Sequence, residues 1–280
     1  MRRRRLLGWI GGLGIGIASA VTLGSIRLDR KTERRVDDLL AAAEPVSAGR
    51  LGNVDRSELP APVRRYFEAV LDDVTHVRSA RLEQQGEFRL GGRSGSWKPM
   101  TATQHYTVDP PGFLWDAEIA VAPLLSTRVV DAYEDGKGSL RAVVGSLVPV
   151  ADAAPSPALD EGELLRYLAE AVWLPTALLP EAGVDWEAVD AHAARATIED
   201  GDTTASLVFQ FDDEGLVDRV IGERYRQETD SYASWVGHFD SYEWHDGMRI
   251  PTAAAVEWSL PEGDLPYWRA RITSTEYRRA

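Results

Sequence analysis

The chain has 280 residues, no cysteine, and 31 basic against 44 acidic residues, for a formal charge of −13. That balance excludes a general nucleic-acid binder, which needs a basic footprint to displace phosphate counterions. The missing cysteines exclude disulfides, thiolate catalysis and cysteine-ligated zinc or iron–sulfur sites.

Four arginines, Arg2 to Arg5, precede the stretch Leu6–Ile26, 21 residues without a charge. At about 1.5 Å per residue, a helix of that length crosses a hydrocarbon core of roughly 30 Å. Two readings follow. The stretch is retained, making a single-pass anchor in the cell membrane with the main domain on the extracytoplasmic side. Alternatively it is a signal peptide, with Ala18-Ser19-Ala20 as the small-residue cleavage site, and the product is secreted. Apolar continuity through Val21, Leu23 and Ile26 favours retention. Gly8, Gly12, Gly16, Ala20 and Gly24 recur every four residues. Helices in lipid approach closely through such ladders, so a homodimer is an expected partner besides membrane lipid. The glycine content alone also produces this spacing.

Residues 1–26 therefore read as signal or anchor, 27–59 as stalk helix and linker, and 60–280 as a single domain. Val36, Leu39, Leu40 and Ala43 follow a helical period over Lys31 to Glu44. A second helix follows Ser57, with Pro60 and Pro62 near its start and Val63, Phe67, Val70 and Leu71 on its apolar face.

From about Val77 the period drops to two. Leu82, Gln84, Gly86, Phe88 and Leu90 alternate with Arg81, Glu83, Gln85, Glu87 and Arg89, as in a half-buried strand. The runs at Phe113–Val121, Leu207–Phe211 and Val256–Leu260 behave alike. Gly91-Gly92, Asp135-Gly136, Glu214-Gly215 and Asp246-Gly247 punctuate them as hairpin turns. One helical segment interrupts the strands. Asp160 is the expected cap, Leu164, Leu165, Leu168 and Val172 the buried stripe, and Pro175 the stop. With about five strands before it and six after, the fold class is α+β. It is a large curved antiparallel sheet of about ten or eleven strands with covering helices, behind one N-terminal transmembrane or signal helix.

Glu163, Arg166, Tyr167 and Glu170 fall on one stripe of the interrupting helix. The stripe is either a polar site, with Glu170 as a base held by Arg166, or a solvated face with intrahelical ion pairs. Asp116 and Glu118 share a strand face, so Asp116 and Glu170 are the candidate catalytic carboxylates of a hydrolase. The five histidines lack metal-ligand spacing, and there is neither a nucleophile elbow nor a phosphate loop, so no metal or cofactor is expected. The tryptophans fill a broad core or line a concave pocket, and Trp115, Arg166, Trp173 and Trp258 are the candidate ligand-binding residues.

The run Arg166-Tyr167-Leu168-Ala169-Glu170-Ala171-Val172-Trp173-Leu174-Pro175-Thr176-Ala177-Leu178-Leu179-Pro180 resembles the signature of an uncharacterised prokaryotic family. Pro110-Pro111-Gly112-Phe113-Leu114-Trp115-Asp116-Ala117 is similar to its other box. The resemblance covers roughly residues 60–277 and implies no catalytic residues, because the family's function is unassigned. The architecture is more distantly similar to the curved-sheet lipoprotein carriers of bacterial envelopes. The expected function is a membrane-tethered domain that binds or carries an apolar or amphipathic ligand in a concave sheet. The alternatives are a carboxylate-dependent hydrolase and an envelope assembly protein without a small ligand.

Overall fold

The computed structural model describes residues 22–46, 57–72, 76–123, 125–153 and 155–279 in full, and residues 2–21 and 56 by backbone alone. Among the described residues three helices, α1 (Arg2–Ala42), α2 (Ala61–Val70) and α3 (Pro157–Glu170), accompany thirteen strands. The first six are β1 (Val77–Leu90), β2 (Ser96–Thr107), β3 (Gly112–Ala122), β4 (Leu125–Glu134), β5 (Lys137–Val144) and β6 (Val148–Asp152). After α3 come β7 (Val184–Ala188), β8 (Ala193–Asp200), β9 (Thr203–Phe211), β10 (Val217–Arg226), β11 (Ser231–His245), β12 (Met248–Leu260) and β13 (Gly263–Arg279).

All thirteen strands form one sheet, in the order β6-β5-β4-β3-β2-β1-β13-β12-β11-β10-β9-β8-β7. Two antiparallel meanders, β1 to β6 and β7 to β13, are joined where β1 pairs with β13, for example Gly86 opposite Ala270. The count exceeds the expected ten or eleven because β6 and β7, five residues each, are the two edges of the sheet. Both are largely solvated on their two faces, so neither carries the alternation that marks a half-buried strand.

The connection from β6 to β7 has to pass from one edge of the sheet to the other. It does so as α3 followed by three short 3-10 turns ending at Ala182. The helix touches β3, β4 and β5 on one wing and β8, β9 and β10 on the other, so the sheet curls around it. This explains why α3 is buried nearly all round, with Leu159, Asp160, Gly162, Glu163, Leu164, Leu165, Tyr167, Leu168 and Ala169 inside. Its cap is Ser156, whose Oγ accepts from the Leu159 amide at 3.2 Å, with Pro157 as first residue. Asp160, the expected cap, lies within the helix. It accepts from the Gly138 amide at 2.8 Å and from Lys137 Nζ at 2.9 Å, tying α3 to the start of β5.

Helix α2 joins the same core through Val63, Tyr66, Phe67 and Val70, with the Tyr66 ring 5.7 Å from that of Phe211. Helix α1 lies on the opposite, outer face of the sheet. Leu39 packs on Leu114 and Ala132, Arg35 pairs with Glu134, and Asp29 pairs with Arg128. Among the described residues no helix is long and apolar enough to cross a membrane. Most of the stretch Leu6–Ile26 lies outside the residues described in full, as do Gly8, Gly12, Gly16 and Ala20 of the small-residue ladder. Gly24, its last rung, faces Ser146 of its own chain. A Cβ there would sit 2.5 Å from the Ser146 carbonyl oxygen.

Candidate functional site

The alternation that builds the inner face of the sheet is apolar except at a few positions. Gln84 sits between Leu82 and Gly86 on β1, Gln104 between Ala102 and Tyr106 on β2, and Asp131 between Val129 and Tyr133 on β4. Arg224 follows Val220 and Gly222 on β10. Gln84, Gln104 and Asp131 are buried, and the Arg224 side chain is 13% exposed. From α3, Glu163, Arg166 and Glu170 face these residues.

One hydrogen-bond chain links them. Trp115 Nε1 on β3 donates to Gln84 Oε1 at 2.9 Å, and Gln84 Nε2 donates to Gln104 Oε1 at 3.0 Å. Gln104 Nε2 and Tyr106 Oη both donate to Glu170 Oε2, at 2.6 and 2.9 Å. Arg166 Nε donates to Glu170 Oε1 at 2.9 Å, and its Nη1 to Asp131 Oδ2 at 2.6 Å. The guanidinium of Arg166 lies 4.8 Å from the Phe113 ring centre and 5.0 Å from that of Trp115. A shorter chain runs beside it. Arg224 Nη2 donates to Glu163 Oε1 at 2.8 Å and lies over Trp235, whose Nε1 donates to Tyr267 Oη at 2.8 Å.

Two arginines thus meet three carboxylates in low dielectric, and two of the carboxylates are incompletely bonded. Asp131 Oδ1 and Glu163 Oε2 have no hydrogen-bond partner. Burial, reinforced by the charge of Asp131, pushes Glu163 up to about 7 against the pull of Arg224 and Arg166. Burial likewise raises Asp131 above the usual carboxylate range, although Arg166 and Arg224 oppose it. Burial disfavours the charged form of Arg166, but Glu170, Asp131 and Glu163 outweigh it and hold the guanidinium protonated.

Arg166, Arg224, Asp131 and Glu170 border a cavity of about 160 Å³ between α3 and the sheet. Its other walls are aromatic, from Phe88, Trp115, Trp235, Tyr267 and Trp268, and aliphatic, from Val129, Leu140 and Val256. An apolar cavity of about this size takes a molecule such as benzene. A larger groove of about 520 Å³ lies on the outer face beside α1 and is lined by Asp29, Asp116, Glu118, Arg128, Thr103 and Thr273 among others. Its walls are mainly hydrophilic.

Of the residues singled out by sequence, Trp115, Arg166 and Glu170 come together at the inner cavity. Trp173 is buried beside it, its Nε1 donating to the Pro251 carbonyl at 3.1 Å and its ring against Phe239 and Trp268. Trp258 stacks on Tyr267 at 6.3 Å, one ring away from the cavity. Asp116 points to the outer face, where Arg128 donates to it at 2.8 and 2.6 Å. Asp116 and Glu170 are therefore on opposite sides of the sheet. The stripe Glu163, Arg166, Glu170 is turned inward and is not a solvated face. Arg224 and Tyr267 escape sequence reasoning, and Trp235 and Trp268 are not set apart by it from the other tryptophans. Among the described residues no cluster is arranged to hold a metal ion.

A model of a family of unknown function (DUF6920) matches residues 57–277, and the chain belongs to that family. No curated protein matches it. Among solved structures it is similar to a DUF1329 family protein from Desulfovibrio piger, at 15% identity over 84% of this chain and 93% of that one, with a TM-score of 0.44. It is also similar to a LolA superfamily protein from Nitrosomonas europaea, at 9% identity over 78% and 92% of the two chains, with a TM-score of 0.41. A beta-barrel-like protein of the DUF1849 domain of unknown function from Brucella abortus shares 11% identity over 73% of this chain and 100% of that one, with a TM-score of 0.26.

Proposed function

We propose that this family member is a membrane-tethered binding domain, which takes the apolar part of an amphipathic ligand beneath α3 and its polar part against Arg166, Asp131 and Glu170. The observation that carries this reading is the cavity of about 160 Å³, whose walls are mostly aromatic and whose charged border includes a buried, unbonded carboxylate oxygen on Asp131. Ligand sites characteristically combine apolar walls with a few convergent polar groups and perturbed pKa values. The volume supports a ring or a short alkyl segment. A longer chain needs the wings of the sheet to part from α3.

The uncharged stretch Leu6–Ile26 supports tethering, which would keep the pocket near a lipid source. The test is native mass spectrometry of the full chain extracted from the membranes of its own host. A bound small molecule is expected. It should be missing from Leu140→Trp, in which an indole fills the cavity. A bare protein mass in both samples refutes the proposal.

A further inference from the structure

Nine large apolar residues are exposed among the described residues, and six of them gather at one corner of the molecule. Leu23 and Ile26 belong to α1, Leu125 to the β3–β4 hairpin, and Leu147, Val148 and Val150 to the β5–β6 hairpin. Their exposures run from 41% to 68%. The pieces touch. A Cβ on Gly24 would lie 2.5 Å from the Ser146 oxygen and 3.1 Å from Leu147 Cδ2, and a Cβ on Gly145 would lie 3.4 Å from Leu125 Cδ1. The Gly145 amide donates to the Ser126 carbonyl at 2.9 Å, fastening one hairpin to the other.

The placement has a cause. Helix α1 runs along the outer face of β3 and β4. Its Leu39 end lies against Gly112 and its Gly24 end against Ser146, where the two hairpins turn. The uncharged stretch Leu6–Ile26 therefore meets the domain at the tips of these hairpins. Both tips are uncharged themselves, from Ile119 to Thr127 and from Ala142 to Ala151, in a chain of formal charge −13. Arg27, Arg30 and Lys31 follow at once on α1, where anionic headgroups would receive them.

We propose that this corner, residues 23–26, 125–126 and 145–150, is a second membrane contact, which seats the hairpin tips in the headgroup region of the bilayer that holds the N-terminal stretch. The occupant is a lipid surface. An exposed apolar patch marks an interaction site, and continuity with a spanning-length apolar segment fixes which one. The contact would set the orientation of the sheet to the membrane, with the Asp135-Gly136 turn at the opposite end of the strands. The inference rests on the tethering part of the proposed function.

The absence of cysteine allows single sites to be labelled in the full chain. Val148→Cys, Gly16→Cys and Asp135→Cys, each carrying an environment-sensitive fluorophore, are reconstituted in phosphatidylcholine–phosphatidylglycerol vesicles with and without lipids quencher-labelled on the headgroup and on the acyl chain. Labels at 148 and 16 are expected to lose most of their emission to the quencher, and the label at 135 none. If 16 is quenched while 148 matches 135, the corner contact is overturned and the tether stands. If 148 is shielded from both lipid-borne and aqueous quenchers, a protein surface covers the corner and the contact is again overturned. If neither 16 nor 148 is quenched, contact and tether both fall. Quenching at 148 without quenching at 16 overturns the tether, and with it the corner contact as an extension of the N-terminal stretch.

Discussion

Glu163 decides how the buried charge cluster responds to pH. The residue is 2% exposed, one carboxyl oxygen is bonded to Arg224 and the other to nothing. Desolvation and the neighbouring Asp131 raise it from 4.5 to about 7. Between those two values the folded chain holds a proton that the unfolded chain has released. Stability therefore falls as pH rises through this window, and the contribution is flat below 4.5 and above 7. At 1.36 kcal/mol per pH unit the window is worth about 3 kcal/mol. Glu163→Gln keeps the shape of the protonated acid and removes the titration. Urea unfolding of wild type and variant at pH 5, 6, 7 and 8 isolates the effect as their difference. The expectation is that wild type loses about 3 kcal/mol relative to the variant from the acid to the alkaline end. Loss of repulsion at Asp131 in the variant acts in the same direction. A flat difference, or one in which wild type gains with pH, would mean that the Arg224 ion pair balances or outweighs burial, and the reasoning about the cluster would be wrong.

Arg166→Met removes the cation shared by Asp131 and Glu170 and leaves two carboxylates facing each other in the core. Breaking a buried pair in this way costs about 3–5 kcal/mol, so the variant should unfold at markedly lower urea at pH 7 and recover part of the loss on acidification. A variant as stable as wild type would place the guanidinium in water. Gly86→Ala on β1 puts a Cβ 2.0 Å from the Arg269 carbonyl oxygen, where β1 and β13 join the two meanders. The backbone has to move, and a loss of more than about 2 kcal/mol in chemical denaturation is expected. A neutral effect would show that the seam between the meanders is loose. Lys137→Ala removes the exposed partner of Asp160 but leaves the Gly138 amide bond, so a change within about 1 kcal/mol is expected in the same assay. A larger loss would make the lysine essential to docking α3.

The long strands were legible because one face of each is buried, as in the alternation of Leu82 to Leu90 with its charged neighbours. The edge strands β6 and β7 were not, because solvent on both faces leaves no period to read. Helix α3 was found by its leucines, yet the spacing of Glu163, Arg166 and Glu170 is the same for a wet stripe and for a buried site. Only the curl of the sheet from edge to edge turns that stripe inward. A signal for the site was nevertheless present in the strands. Gln84, Gln104 and Asp131 each occupy the buried phase of an alternating run, and a polar residue there must find a partner. Three such interruptions on neighbouring inner faces mark where α3 brings its charges. Arg224 breaks the same rule on β10. Asp116 and Glu118 share a strand face, but alternate residues face opposite sides, so theirs is the outer face, across the sheet from Glu170.

The central claim is that the inner cavity receives the apolar part of an amphipathic ligand. Nitrogen-resolved NMR of the indole N–H signals during titration with hexan-1-ol tests it most directly, since each tryptophan reports its own surroundings. The account predicts saturable shifts at Trp115, Trp235 and Trp268, which border the cavity, and unchanged signals at Trp97 and Trp244. Shifts restricted to Trp97 and Trp244, or none at any indole, would contradict it.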